Sequence, residues 1–575
     1  KEIFITSEQK IKNVNALFPV NETGQFVDYT SSEYKASNYI IVSHPLLWDE
    51  ALQYKEYRKN SGYPNLYNPI LVNIEELYDQ FSYGIRKNPM AIRNFMKFAI
   101  TFFDQVPEHL FIIGKSYRSA ENSTSLPMYR KNATHYQNTL VPTICVPPSD
   151  MAFTSGLIDP NTYHPAVPTG RLSAKTPNHV SLYLNKVQQH EDALRTPKPW
   201  MKNVLHFAGG TGNLHNSIVS HLSQFENIIE APSFGAHVQT FKKSTTEPIQ
   251  INQSDSLKNL INNGVSLMTF FGHASGIGYD ISIDNPEEYN NYGKYPLIFG
   301  LSCFAGDLFT TGLHYDRGSS SEEFVLIDNK GTIAYLANVG SAIDIYLAHF
   351  AESFYKNFGN NYYNKPLGKI IQQTIKDNEV KPWMKETNLD MTYHGDPAII
   401  INSFEKPDYV ITANDIKFEP QNISTEIENF EVKIALNNQA KAVEDSMIVK
   451  ISRTYPNAEV FDTLIRVKAP YFSDTLKLSL PVDRILGLGN NSLKVSVDDF
   501  NEIDEINEDN NVVSVNFLIS SSDIIPVFPY KYAIVPQSQI SLMAYSGPFF
   551  ETSQSYVFEI DTTDSFDSPF KTSEI

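Results

Sequence analysis

Short apolar runs alternate with amphipathic stretches from about residue 37 to residue 403. The runs Tyr39–Val42, Pro69–Ile74 and Leu110–Gly114 contain no charged side chain, which is typical of strands buried on both faces of a parallel sheet. Between them, Leu47–Ser61 and Pro89–Phe103 have the apolar spacing of amphipathic helices. This alternation predicts an α/β fold built on a doubly wound parallel sheet.

The same alternation continues in the second half of this region. Further buried strands are predicted at Val204–Ala208, Val265–Phe271, Pro296–Ser302, Gly331–Leu336 and, as the last strand, Ala398–Ile401. A loop-rich stretch at 117–170 separates the two series of strands. The pattern therefore predicts two α/β sub-domains, over residues 37–200 and 201–403. Residues 1–36 are polar and irregular, which favours the remnant or linker of a preceding domain.

The pattern changes to strict alternation after about residue 405. Stretches such as Glu431–Ala435 and Leu493–Val497 place apolar residues at every second position, and turn signals recur about every ten residues. We therefore expect an immunoglobulin-like β-sandwich over 406–519 and the start of a further β module over 521–575. The acidic stretch 497–511 could hold Ca²⁺, but it lacks the EF-hand spacing, so a solvated turn is favoured.

Composition narrows the possible functions. The chain has 575 residues with 41% hydrophobic residues, enough for three to four domains with real cores. A net charge of −19 argues against a nucleic-acid partner, because phosphates would not be neutralised. Two cysteines cannot form a disulfide framework, and we expect both to be free thiols. No apolar stretch is long enough to cross a bilayer. The sequence lacks a signal peptide and an initiator Met, which favours a piece of a longer precursor.

The strongest chemical signal lies where two successive apolar runs end. Val265–Phe271 is followed by Gly272 and His273, and Pro296–Ser302 is followed by Cys303. Ligands of α/β sheets bind beyond the carboxyl ends of the strands, so both side chains should reach one edge. An imidazole beside a thiol is the pair that a cysteine nucleophile and its base require. A cysteine by itself is often a buried structural thiol, but the His273 motif favours catalysis.

Small residues surround these strand ends. Gly272 and Ser275 lie beside His273, and the run that ends at Leu336 is followed by Ala337, Gly340 and Ser341. Small residues let a substrate backbone approach closely and leave amide N–H groups free. We predict that these five residues line the substrate pocket and that small or polar residues precede the scissile bond.

The chain resembles the gingipain family of caspase-like cysteine peptidases, and within it the PorU-type sortases of the bacterial type IX secretion system. In that family a His-Gly follows one strand and the catalytic Cys follows the next. The resemblance covers about residues 35 to 402. It is carried by YIIVSHPLLWDEALQYKEYRKNSGY at 39–63, FSYGIRKNPMAIRNFMKFA at 81–99, LFIIGKSY at 110–117, VPPSDMAF at 146–153, VPTGRLSA at 167–174 and HGDPAIII at 394–401.

The resemblance implies a mechanism and a setting. Cys303 would attack a peptide carbonyl to form a thioester, with His273 as its base and the backbone N–H groups of Ala274 and Cys303 as the oxyanion hole. PorU-type sortases cleave C-terminal sorting signals of secreted proteins and pass the acyl group to an amine. The implied location is the extracellular face of the bacterial outer membrane, with a PorV-like component as a partner. No cofactor is implied.

One position departs from the family. The acid that orients the His is expected four residues before Gly170-Arg171, and Ala166 stands there. Asp150, in the Ser-Asp step of the family, is the candidate replacement. Without an acid, the enzyme would work as a Cys–His dyad or with reduced activity.

Two alternatives to the sortase remain open on the residues alone. A gingipain-like endopeptidase would hydrolyse the thioester instead of transferring the acyl group. A decayed cell-surface scaffold would keep the fold without catalysis, and the missing acid favours it. The turn GGTG at 209–212 could bind phosphate, but it lacks the P-loop Lys and favours a tight strand-to-helix turn. His206, His215 and His221 match no zinc spacing and are interpreted as ordinary strand and helix residues.

Overall fold

The chain forms two compact units, which the computed structural model describes separately. The first comprises residues 1–407 with 439–443, and the second comprises 408–438 with 444–575. The residues described are 7–10, 16, 19–20, 23–118, 130, 132–245, 250–251, 255–275, 278–282, 286–309, 320–521, 524–530, 533–536, 539–546 and 556–575.

Helices and strands alternate through the first unit. Its helices are α1 Ser32–Lys35, α2 Trp48–Asn60, α3 Ile74–Phe81, α4 Met90–Phe102, α5 Ala133–Asn138, α6 Pro177–Ala193, α7 Gly212–Ile229, α8 Asp255–Asn263, α9 Ser320–Val325, α10 Asp344–Lys356, α11 Leu367–Asn378 and α12 Lys385–Asp390. Its strands are β1 Tyr39–Ser43, β2 Pro69–Asn73, β3 His109–Ile113, β4 Thr169–Leu172, β5 Asn203–Ala208, β6 His237–Lys242, β7 Gln250–Ile251, β8 Leu267–Phe271, β9 Ala274–Ser275, β10 Gly278–Tyr279, β11 Ile281–Ser282, β12 Leu297–Leu301, β13 Ala334–Asn338 and β14 Met391–His394.

Ten of the described strands form one central sheet. Their order is β2-β1-β3-β4-β14-β13-β12-β8-β5-β6. Neighbouring strands are parallel from β2 to β4 and from β13 to β6, whereas β14 runs antiparallel to β13. The predicted α/β class with a mainly parallel sheet is confirmed.

The last strand of this sheet differs from the prediction. Met391–His394 forms β14, and the more apolar stretch Ala398–Ile401 lies outside any strand. Ala398, Ile399 and Ile401 are nonetheless buried in the core. A buried segment is apolar whether or not it pairs as a strand. Hydrophobicity therefore could not show that β14, and not this stretch, is the strand.

The sheet is covered on both faces, as its continuous apolar strands require. Along β1, Tyr39 and Ile41 join the cluster that α2 and α6 cover, whereas Ile40 and Val42 join the cluster that α3 and α4 cover. Successive strand residues point to opposite faces, so one strand contributes to both cores. Tyr29 packs on Phe95 with ring centroids 4.9 Å apart, so this core begins before residue 37.

A buried ionic network explains part of the HGDP motif. Asp396 is fully buried and accepts hydrogen bonds from Tyr39 and Tyr54, and Arg58 donates to it from Nε at 2.7 Å. Arg58 also donates to Glu191 on α6. A buried carboxylate is tolerated only when it is paired and hydrogen-bonded, so Asp396 joins β1, α2 and α6 rather than acting on substrate.

The second unit is built from antiparallel sheets. Its strands are β15 Tyr409–Val410, β16 Ile416–Glu419, β17 Ile423–Ser424, β18 Asn429–Asn438, β19 Ser446–Thr454, β20 Val460–Lys468, β21 Ser473–Pro481, β22 Gly489–Ser496, β23 Val512–Ser520, β24 Ile524–Phe528, β25 Met543–Ser546, β26 Phe558–Ile560 and β27 Thr572–Glu574. Phe418 and Phe430 of one sheet pack on Phe517 of the other. The predicted β-sandwich is therefore confirmed. The described residues after 521 form two antiparallel pairs.

The strands of the two halves run in opposite directions, because β14 is parallel to β4 and antiparallel to β13. The ends of β8, β12 and β13 therefore lie at one edge of the sheet, which we call the carboxyl edge, and the ends of β1, β3 and β4 lie at the other. The segment after β12 reaches back to the residues that follow β3. Lys115 donates from Nζ to the Leu308 carbonyl oxygen, and the backbone N–H of Arg118 donates to the Phe309 carbonyl oxygen at 2.8 Å.

Candidate active site

Cys303 lies on a sharp turn beyond β12, at the carboxyl edge. Its side chain is half-buried, and the next residue, Phe304, has φ of +57°. A bulky residue in the left-handed region is strained, and such strain concentrates at functional sites. Among the described residues, no acceptor takes the backbone N–H of Cys303. The turn therefore presents a thiol together with a free amide donor.

Backbone hydrogen bonds attach this turn to the end of β13. The N–H of Phe304 donates to the Gly340 carbonyl oxygen and that of Gly306 to the Asn338 carbonyl oxygen, both at 2.9 Å. A Cβ on Gly306 would lie 2.2 Å from the Ala337 carbonyl oxygen, so only glycine fits. The N–H of Ala342 donates to Cys303 Sγ at 3.3 Å. The thiol in turn lies 3.5 Å from the Ala342 carbonyl oxygen, to which it can donate.

The same turn is tied to the first half of the sheet by charged side chains. Asp307 forms an ion pair with Arg118. Buried Lys115 donates to the Leu308 carbonyl oxygen and pairs with Glu322 Oε1 at 2.8 Å. Burial alone would raise the pKa of Glu322, but the charge of Lys115, with that of Lys175, outweighs it and lowers the pKa to about 2. The ion pair is therefore intact at neutral pH.

His273 lies on a short hairpin beyond β8, formed by β9 and β10. The N–H of Gly272 donates to the Leu301 carbonyl oxygen of β12, and the N–H of Asp280 donates to the His273 carbonyl oxygen at 2.8 Å. Tyr279 stacks on Phe270 and its hydroxyl lies 2.6 Å from that of Tyr335 on β13. The His273 side chain is exposed. Tyr279 thus holds the hairpin to the end of the sheet.

Strand register brings the two segments side by side. β8 and β12 are parallel neighbours, with Phe270 paired to Gly300 and Phe271 to Leu301. His273 and Cys303 each follow by two residues. Neighbouring strands lie about 4.8 Å apart, so the two residues leave the sheet at adjacent positions of the same edge.

The predicted pocket residues differ in exposure. Gly272 is half-buried, and of Ser275 only the backbone is described, paired with Gly278. Ala337 is fully buried within β13, and Gly340 is buried against Asp390 and Pro147. Ser341 is exposed. At the end of β13, Ser341 is therefore the predicted pocket residue with a side chain open to solvent.

Asp150 has a partner other than His273. Arg171 donates to its carboxylate from Nε at 2.6 Å and from a terminal nitrogen at 2.8 Å, and Thr143 donates at 2.9 Å. Arg171 lies on β4, which β14, β13 and β12 separate from β8. That places roughly 19 Å between the two strands. Asp150 serves to neutralise the buried Arg171.

Ala166 lies at the same edge of the sheet as Cys303. β4 is parallel to β14, and β14 is antiparallel to β13, so the beginning of β4 is level with the end of β13. Ala166 precedes β4 by three residues and lines a cleft with His109, the first residue of β3. Three strands separate β4 from β8, which places these two strands roughly 19 Å apart. The expectation that an acid at position 166 would orient His273 stays a prediction.

The remaining candidates have ordinary structural roles. Gly209–Gly212 form a tight turn between β5 and α7, in which Gly210 has φ of +73°. Buried His206 bonds the Tyr355 hydroxyl, and His215 Nδ1 lies 2.8 Å from the Gly209 carbonyl oxygen. The ring of His221 packs beside Phe225. Cys145 is exposed and both cysteines are free thiols.

Two carboxyl groups at this edge were not predicted from the sequence. Asp280 is buried beside Gly272 and Gly209. In the sequence, only its position as an acid in a glycine-rich stretch after His273 could have indicated a role. Asp390 is buried against Gly340, and burial, aided by the charge of Glu386, raises its pKa to about 7. Its position depends on β14, which the sequence did not predict.

Within the described residues, no three His, Cys, Asp or Glu side chains are grouped so that they could bind a metal ion. In the acidic stretch, Asp498 accepts from the backbone N–H groups of Glu502 and Ile503. Glu505 accepts from Tyr409 and Asn511. Asp498 therefore stabilises the turn through its own backbone, and Glu505 joins the turn to β15.

The sequence of residues 32–402 matches the model of peptidase family C25. The chain belongs to peptidase family C25, the gingipain family of cysteine peptidases. The resemblance noted from the sequence is therefore confirmed at the level of the family. No curated protein sequence matches the chain. Among the described residues, no helix is long and apolar enough to cross a membrane.

Solved structures similar to this C25 chain include a gingipain and PorU. The crystal structure of the Arg-specific cysteine proteinase gingipain R (RgpB) is 14% identical, with a TM-score of 0.48, over 85% of this chain and 98% of that chain. The complex of the pro- and mature domains of Porphyromonas gingivalis RgpB is 15% identical, with a TM-score of 0.48, over 84% and 100%. Dimeric latent PorU from Porphyromonas gingivalis is 13% identical, with a TM-score of 0.33, over 85% and 43%.

Proposed function

We propose that this C25 chain is a cysteine peptidase in which Cys303 is the nucleophile and His273 the general base. The observation that carries the proposal is the register of β8 and β12, which brings both residues to adjacent positions of the carboxyl edge. The strained turn at Phe304 adds to it, because the backbone there is held in a costly conformation that presents the thiol.

The reaction follows from these groups. His273 takes the thiol proton as Cys303 attacks a peptide carbonyl, and the backbone N–H groups of Cys303 and Ala274 stabilise the oxyanion. The imidazolium then protonates the leaving amine, which leaves a thioester on Cys303. Water or an amine attacks the thioester, and His273 removes the proton of the attacking group. The thiol is regenerated when the tetrahedral intermediate collapses.

We further propose the sortase type of this chemistry, on the resemblance to PorU-type members. The substrates would be secreted proteins with C-terminal sorting signals, and the acceptor an amine at the outer face of the bacterial outer membrane. A PorV-like component would present these substrates. Water as the acceptor would make the same site an endopeptidase.

A cleavage assay with and without an amine tests this proposal. A sorting-signal peptide is incubated with the wild-type chain, Cys303→Ala, His273→Ala and Cys145→Ala as the control thiol variant. We expect cleavage by wild type and Cys145→Ala, an amide adduct when amine is present, and at least a hundredfold loss in both site variants. Cleavage without adduct would support the endopeptidase. Wild-type turnover equal to that of Cys303→Ala would support the scaffold.

A further inference from the structure

Asp280 lies in an unusual position beside His273. The pairing of β9 with β10 matches Ala274 to Tyr279, and the Asp280 N–H to His273 carbonyl bond extends it by one position. His273 and Asp280 are therefore directly opposed across the hairpin. Opposed residues of an antiparallel pair project from the same face, with Cβ atoms about 5 Å apart. That separation is within reach of a carboxylate and an imidazole nitrogen.

The two oxygens of this carboxylate have different surroundings. Oδ2 accepts from the Gly210 N–H at 2.8 Å and lies 3.3 Å from Lys243 Nζ. Oδ1 is buried and accepts no hydrogen bond from any described residue. Buried polar atoms almost always have a partner, so an exception at a functional edge needs an explanation.

Two glycines make room for the unpartnered oxygen. A Cβ on Gly272 would lie 2.4 Å from Oδ1, and a Cβ on Gly209 would lie 2.1 Å from it. Oδ1 therefore rests against the backbone of the residue that precedes His273. The His273 ring is exposed and has no hydrogen-bond partner among the described residues, which leaves it free to turn toward this oxygen.

We propose that Asp280 is the positioning residue of His273, with Oδ1 accepting the imidazole Nδ1–H when His273 serves as base. This inference rests on the proposed function. An acid in this role fixes the tautomer that leaves Nε2 facing the thiol, and it stabilises the imidazolium formed during attack. No proton passes to Asp280. Asp280 would thus take the role that the resemblance assigns to an acid at position 166.

The role also accounts for the GGTG turn and for Lys243. Gly210 and Lys243 hold Oδ2 from the ends of β5 and β6, so the carboxylate is fixed before substrate arrives. The titratable groups near this carboxylate are Lys243, His215 at the start of α7, and Cys303 on the turn beyond the neighbouring strand β12. Lys243 partly offsets the charge of Asp280. Removing Lys243 should therefore change the pKa of His273 in the opposite direction to removing Asp280.

The decisive experiment is an NMR titration of His273 in the Cys303→Ala chain, which removes the thiol from the titration. His273→Gln assigns the resonance. We expect Asp280→Asn to lower the pKa of His273 by about one unit or more, because the nearby negative charge is lost. Asp307→Asn, which removes a carboxylate that pairs with Arg118 on the adjacent turn, should leave it unchanged. A His273 pKa that Asp280→Asn does not change would overturn the proposal.

Lys243→Met supplies a test of opposite sign that does not depend on the folding of Asp280→Asn. It keeps the carboxylate and removes its cation, so the pKa of His273 should rise. An unchanged or lower value would contradict the proposal. In turnover, Asp280→Asn should reduce kcat about tenfold or more with little change in KM. The NMR result stands even if the chain proves inactive, so failure of the peptidase function and failure of this role are distinguishable.

Discussion

The Cys303 turn and the His273 hairpin reach the same edge of the sheet but are held there by different forces. Backbone hydrogen bonds to the end of β13, an ion pair with Arg118 and a hydrogen bond from Lys115 hold the turn. The hairpin has a backbone hydrogen bond from Gly272 to β12 and otherwise depends on the ring of Tyr279 and the carboxylate of Asp280. Cys303 is therefore held largely by backbone hydrogen bonds, and His273 by a few contacts that point mutations can remove individually.

The largest effect on this comparison is expected from Gly306→Ala. The added Cβ would lie 2.2 Å from the Ala337 carbonyl oxygen, so the turn must move away from β13. A displacement of about 1 Å costs roughly a hundredfold in rate, which we expect in peptide turnover. Gly359→Ala is the matched control, because its Cβ would meet only ordinary contacts at 3.5 Å or more. Equal turnover of the two variants would show that the turn is not held as described.

The buried carboxyl group of Asp390 lies against Gly340, whose carbonyl oxygen accepts a hydrogen bond from the Cys303 turn. The pKa of Asp390 is raised from 3.8 to about 7, mainly by burial. Its contribution to stability is present below pH 3.8 and is lost as the pH rises from there to about 7, since the folded chain holds the proton more tightly. Asp390→Asn should therefore raise the free energy of unfolding by roughly 2 to 4 kcal/mol at about pH 8, and by far less at about pH 4.5.

Denaturant unfolding at the two pH values measures this difference. A stabilisation that does not depend on pH would contradict the raised pKa. If Asp390→Asn were instead less stable than wild type at about pH 8, the folded chain would favour the charged carboxylate.

A smaller effect is expected in the hairpin from Tyr279→Phe. The ring and its stacking on Phe270 remain, but the hydrogen bond to the Tyr335 hydroxyl is lost. One such bond is worth about 1 kcal/mol, or roughly a fivefold change in an equilibrium or a rate. Tyr363→Phe is the control, because the buried Tyr363 hydroxyl has no partner among the described residues. Unfolding and turnover should change with Tyr279→Phe, and an equal result for both variants would remove Tyr279 as the anchor.

The smallest effect is expected from Ala166→Asp. The new carboxylate would lie near the beginnings of β3 and β4, and three strands, or roughly 19 Å, separate β4 from β8. We expect kcat and its pH profile to equal those of wild type, within about twofold. A rise in kcat would mean that position 166 communicates with His273 after all.

The fold was largely predictable because buried parallel strands leave a plain signal. Runs such as Leu110–Gly114 and Val265–Phe271 are apolar throughout, and each contains a strand of the sheet. The exception is β14, which lies in MTYH while the more apolar Ala398–Ile401 packs without strand pairing. Strand order across the sheet depends on long-range packing and leaves no local pattern.

The candidate site was predictable only where chemistry and strand ends coincide. His273 and Cys303 follow apolar runs directly, so their placement at one edge could be expected. The sequence alone could not show which of Asp150 and Asp280 lies near His273, because the role of a carboxylate depends on the groups that it contacts in the fold. Arg171 binds the first, and the pairing of β9 with β10 brings the second opposite His273. Neither contact has a sequence spacing that identifies it.

The central claim is that His273 activates Cys303, and the two thiols of this chain provide an internal comparison. A peptidyl electrophile is added to the native protein, and modification of Cys303 and Cys145 is followed by mass spectrometry. Neither thiol is in a disulfide. Burial raises the pKa of the Cys145 thiol, so the effect of His273→Ala on the Cys303 rate is the decisive comparison. The account predicts that Cys303 reacts at least about a hundredfold faster and that His273→Ala removes most of this advantage. Equal rates for the two cysteines, or a Cys303 rate unaffected by His273→Ala, would contradict it.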